Sequence, residues 1–84
     1  MSTDQKISEF IEESCLIHFG KEAEADTNLF TTGIMDSMGF IELVQFLEAD
    51  LNVKFTDEEL NSREFTTLSG IQSLARKKSQ DAGS

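Results

Sequence analysis

The sequence predicts an all-α fold, a small four-helix bundle with a long loop between helices 1 and 2 and a short third helix. Three observations predict it. Apolar residues recur at steps of three and four in three separate segments. No segment alternates at period two, as a half-buried strand does. The 84 residues contain no proline to interrupt a helix.

Helix 1 opens on a capping box, Ser2 with Gln5 three residues on. Ile7, Phe10, Ile11 and Ser14 follow at helical spacing, so the helix is expected over about residues 4 to 19, with Gly20 as its left-handed stop. Residues 20–36, GKEAEADTNLFTTGIMD, mix turn formers with apolar Leu29, Phe30, Ile34 and Met35, which reads as a long loop pinned to a core. Loops of that length are often functional. From Ser37 to about Leu51, the residues Phe40, Leu43, Val44, Leu47 and Leu51 share one face and define helix 2. A second capping box, Thr56 with Glu59, opens a short helix near residues 57 to 63. Thr66 and Thr67 cap a last helix with the stripe Leu68, Ile71, Leu74 and Ala75; Arg76, Lys77 and Lys78 are expected at its C-terminal end, where cations complement the dipole. Residues 1–78 are read as one domain, and the small polar tail at 79–84 is expected to be disordered. No internal repeat or low-complexity segment competes with the all-helical reading.

Sixteen acidic residues against seven basic ones give a net charge of −9. That surplus repels nucleic acid and anionic lipid and favours partners with basic surfaces. No apolar run approaches the roughly 20 residues of a membrane span, and the N-terminal residues lack the pattern of a signal peptide, so a cytoplasmic monomer is expected. Cys15 is the sole cysteine; it forms no internal disulfide and reads as a small, partly buried hydrophobe.

Several chemistries fail on their own requirements. An EF-hand beginning at Asp50 and Asn52 would place Lys54 and Phe55 where a ligand and the turn glycine belong, and Asn61 where a bidentate glutamate belongs. A nucleophile elbow at Ser37 has Gly39 on one side but Met35 on the other. His18 is expected in the last turn of helix 1, occupied with free carbonyls or the dipole. One cysteine and one histidine make no metal set, and a bundle of this size lacks room for a substrate pocket of ordinary volume, so the chain is not expected to be an enzyme. From its position Ser37 is a helix N-cap. The same helix start also suits a phosphate.

The stretch LFTTGIMDSMGFIELVQFLEADLNVKF, residues 29–55, resembles the core of the acyl carrier and peptidyl carrier protein family. The shared pattern is Leu-Phe, two residues, Gly, two apolar residues, Asp-Ser-apolar, then an amphipathic helix with acidic residues. Leu29, Phe30, Gly33, Ile34, Asp36, Ser37, Met38, Glu42, Leu43 and Leu47 fall where the family has the corresponding type. The likeness extends more weakly along almost the whole chain, in the order of its helices.

The resemblance implies that Ser37, flanked by Asp36, carries 4′-phosphopantetheine as a phosphodiester, installed from coenzyme A by a phosphopantetheinyl transferase. The terminal thiol of that arm then holds acyl or aminoacyl cargo as a thioester for fatty acid, polyketide, aminoacyl or related biosynthesis. It further implies that Asp36, Glu42 and Glu48 face basic patches on loading ligases and downstream synthases or transferases, with Met38 and Ile41 as apolar contacts beside them. Gly39 and Phe40 depart from the small acidic or polar residues that long-chain fatty acid carriers often have there. The string DSMG is closer to D-alanyl, aminoacyl and some polyketide carriers, which favours a short acyl or aminoacyl cargo. The rival reading is an acidic helical adaptor without a cofactor, in which Ser37 is only a cap.

Overall fold

The structure, a computed structural model, describes residues 2–83, with side chains through residue 80. Among these residues it contains helices α1 (Thr3–Cys15), α2 (Ser37–Leu51), α3 (Asp57–Leu60) and α4 (Leu68–Gly83), with a 3-10 turn at Arg63–Thr66 between the last two. The all-α bundle is therefore as expected, with the 3-10 turn as an addition. Both capping boxes form: Ser2 and Gln5 exchange bonds at the start of α1, and Thr56 and Glu59 do so at the start of α3. Thr67 caps α4, its hydroxyl accepting the Gly70 amide at 3.1 Å.

The buried faces follow the apolar periodicity. Ile7 and Ile11 of α1, Leu43 and Leu47 of α2, and Leu68, Ile71, Leu74 and Ala75 of α4 meet in one core, which Phe65 of the 3-10 turn enters from the side. Phe10 of α1 stacks on Phe46 of α2, with ring centroids 4.6 Å apart. Gly70 permits a close approach between α4 and the 3-10 turn. A Cβ at that position would lie 2.8 Å from Glu64 Cα and 2.9 Å from its carbonyl carbon.

Helix 1 ends earlier than expected. Its C-cap is Leu16, in the left-handed region at φ 58°, ψ 48°, while Gly20 at φ 95° belongs to a later turn. The reason is a device that α2 repeats. At α1 the Leu16 and Ile17 amides both donate to the Glu12 carbonyl, and the Glu12 carboxylate accepts the Phe19 amide at 2.9 Å. At α2 the Asn52 and Val53 amides both donate to the Glu48 carbonyl, and the Glu48 carboxylate accepts the Phe55 amide at 3.0 Å. Each stop thus has glutamate, a left-handed residue four on, a buried β-branched residue five on, and Phe seven on, in EESCLIHF and EADLNVKF. This shared local device satisfies the helix-end carbonyls without glycine.

The two stops differ at the left-handed position, which is Asn52 in one and Leu16, 88% exposed, in the other. Asparagine tolerates that conformation and a leucine is strained in it. Leu16→Asn is therefore expected to stabilise the fold, by on the order of 1 kcal/mol, read as a raised urea midpoint at unchanged m-value.

α4 also departs from expectation. It runs on to Gly83, so part of the expected disordered tail is helical; Ser84 lies outside the described residues. Arg76, Lys77 and Lys78 are consequently not in its last turn. Two of them pair with other elements: Arg76 with Asp4 of α1 at 3.3 Å, and Lys78 with Glu59 of α3 at 3.1 Å. Hydrogen bonds from the Thr56 amide and then from Lys78 hold the Glu59 carboxyl below its ordinary pKa. This support is present above the unfolded-state carboxyl value and is lost as pH falls through the lowered folded value.

Candidate functional site

The long loop between α1 and α2 is strapped to the bundle along its length. Phe19 pairs with Ala23 in an isolated bridge, and Ala23, Leu29 and Met35 are buried in the core. The Leu29 amide donates to the Thr66 carbonyl at 2.7 Å, and the Ala25 carbonyl accepts the Ser69 amide at 3.0 Å. Asn28 closes the next turn, its side-chain oxygen accepting the Phe30 and Thr31 amides at 3.0 Å each. Gly33, at φ 77°, supplies the left-handed step that brings the Met35 amide back to the Leu29 carbonyl at 2.9 Å. Asp36 and Ser37 are presented at the end of this strap.

The N-cap of α2 is Asp36, whose carboxylate accepts the Gly39 amide at 2.8 Å. Ser37 is the first helical residue, so the expectation that its hydroxyl caps the helix is corrected. Asp36 stands one residue earlier, at the N-cap position, and its charged carboxylate makes it the better acceptor for the third helical amide. Ser37 is exposed, and among the described residues its hydroxyl makes no hydrogen bond. The Ser37 and Met38 amides, first in the helix, have no acceptor among those residues. Asp36→Ala is expected to cost about 1 kcal/mol in urea unfolding, whereas Asp36→Asn keeps most of that stability because an amide oxygen also caps.

The end of α1 packs near this point. Cys15 is half-buried; burial pushes its thiol pKa up, and the Asp36 carboxylate adds to that shift. The thiol therefore stays protonated at neutral pH and is a poor nucleophile. His18 lies beyond α1 rather than in its last turn. It is exposed, its amide donates to a Glu22 carboxylate oxygen at 3.2 Å, and its carbonyl accepts the Lys21 and Glu22 amides. No hydrogen bond links His18 to Ser37 among the described residues.

On α2, Met38 and Ile41 are 65% and 50% exposed, and Glu42 is exposed beside them, one turn along from Met38. Glu48 is placed differently: it is half-buried, and its carboxylate braces the loop after α2 through the Phe55 amide. The strap's backbone latches at Ala25 and Thr66 have no readable signal, because any residue supplies a carbonyl. The Glu12 and Glu48 braces had one, in the recurring spacing from glutamate to phenylalanine.

The fold and site together define a class, a small helical domain that presents a free serine hydroxyl at the start of an acid-flanked helix. The family model for the phosphopantetheine attachment site matches residues 16–76, and the chain belongs to that family of acyl and peptidyl carrier proteins. Comparison with curated proteins returned no match. The cofactor of the family is covalently attached 4′-phosphopantetheine. The residues present fit it: an exposed, unengaged hydroxyl stands beside two helix-start amides that favour an anionic phosphodiester. No described helix is long and apolar enough to cross a membrane.

Proposed function

We propose that Ser37 is the attachment point and that the chain is a carrier, not itself an enzyme, which bears acyl or aminoacyl groups between partner enzymes. The observation that carries this reading is the free Ser37 hydroxyl, with the capping task held by Asp36 instead. When attached, the group supplies a terminal thiol that holds cargo as a thioester. The chain's own residues orient that arm. Asp36 fixes the first turn of α2, the strap sets its position, and the Ser37 and Met38 amides, free of internal acceptors, would hold the phosphate.

Met38, Ile41 and Glu42 form the partner surface in this proposal, with Asp36 at its edge. Two exposed apolar side chains flanked by carboxylates suit a basic patch with an apolar centre, as on a phosphopantetheinyl transferase, a loading ligase or a downstream synthase. Glu48 takes a lesser part, since one of its oxygens is already used within the chain. Because rim charges mainly steer encounter, raising ionic strength should lower the rate of modification more than it changes turnover at saturation. The direct test is intact mass after incubation with coenzyme A and a permissive transferase. A gain of one phosphopantetheine supports the carrier; no gain with several transferases would favour the cofactor-free adaptor.

A further inference from the structure

We propose, on the carrier reading above, that this protein keeps its cargo outside the bundle and is built for a short or polar acyl group rather than a long alkyl chain. An alkyl chain in water gains from burial in proportion to its length, and the nearest interior to a tether at Ser37 lies under Phe40, one turn along α2. That interior is filled by a ladder of four rings. Phe40 meets Phe30 edge-on at 5.6 Å and Phe65 at 5.4 Å, and Phe65 meets Phe55 at 5.3 Å.

Both ends of the ladder are fastened. The Phe30 amide donates to Asn28 in the strap, and the Phe55 amide donates to Glu48. The Lys78 ammonium lies 5.7 Å from the Phe55 ring centroid while paired with Glu59. Edge-to-face contacts on two sides hold Phe40 in place, so a chain entering there would have to part rings that stabilise one another. Two surface grooves share no lining residue with the ladder. One, at the end of α2, is lined by Gln45, Glu48, Ala49, Asn52, Val53 and Lys54, and the other, at the end of α1, by Glu9, Glu12, Glu13, Leu16, Ile17 and His18.

The test loads acetyl, butyryl, octanoyl and dodecanoyl phosphopantetheine from the corresponding acyl coenzyme A, confirms each by intact mass, and records thermal unfolding by circular dichroism. The expected result is the same midpoint for all four, with retention on a hydrophobic column rising as the chain lengthens. A midpoint that rises by about 5 °C or more from butyryl to octanoyl, with retention unchanged, would overturn the proposal. Phe40→Ala, or Phe40→Leu if the first does not fold, should recover stability on octanoyl loading. A variant as indifferent to chain length as the wild type would remove Phe40 from the explanation and overturn the ladder as the barrier. Failure to gain mass at all would instead strike the carrier reading.

Discussion

Ser37→Ala is expected to abolish the gain of one phosphopantetheine while leaving the stability of the fold within about 0.5 kcal/mol of wild type. These two results belong together. Had Ser37 been the cap, its loss would cost roughly 1 kcal/mol, and a failure of modification would be confounded with a loosened helix start. Because the Asp36 carboxylate takes the Gly39 amide, the hydroxyl leaves without an internal partner being stranded, and alanine is a good residue for a first helical turn. The measurement pairs intact mass with urea unfolding on the same sample. A full mass gain in the variant would move the attachment to another residue and refute the assignment. A destabilisation near that of Asp36→Ala would show that the hydroxyl has a structural task after all.

Phe65→Ala is expected to be the most damaging single truncation, costing about 3–5 kcal/mol. The side chain is 1% exposed, and it is the ring that joins Phe40 of α2 to Phe55 of the loop before α3. A domain of this length has a total stability on the order of 10 kcal/mol at most, so the variant should lose a third or more of it. Far-ultraviolet circular dichroism in urea reads the loss, since the chain has neither tryptophan nor tyrosine. A loss under about 1 kcal/mol would mean that the ladder is loosely packed, and would weaken the case that it closes the interior to cargo.

The fold was largely legible in the residues. The stripe Leu68, Ile71, Leu74 and Ala75 is buried as its spacing requires, and so are Ile7, Ile11, Leu43 and Leu47. Leu29 and Met35 pin the long loop, as their apolar character between turn formers suggested. The boundaries were less legible. Helix 1 stops at Leu16 because the Glu12 carbonyl and carboxylate capture amides beyond it, and that capture competes with the pull of a glycine four residues further on. A local rule places the charged run at Arg76 to Lys78 at a helix end, whereas ion pairs with α1 and α3 account for two of the three.

The sequence by itself determined the helical class, the core faces, and the Asp36–Ser37 pair at a helix start in the pattern of a carrier family. Those features are local: periodicity, caps and a short motif are written in neighbouring residues. Which of the two side chains caps the helix is also local, but spacing leaves it open, since both have oxygens that could accept; the extended backbone at Asp36 decides it. Only the tertiary structure decided that Phe30, Phe40, Phe65 and Phe55 stack into one ladder, and that Arg76 and Lys78 pair with α1 and α3. Such contacts depend on where distant segments arrive in space, and residue spacing does not carry that information.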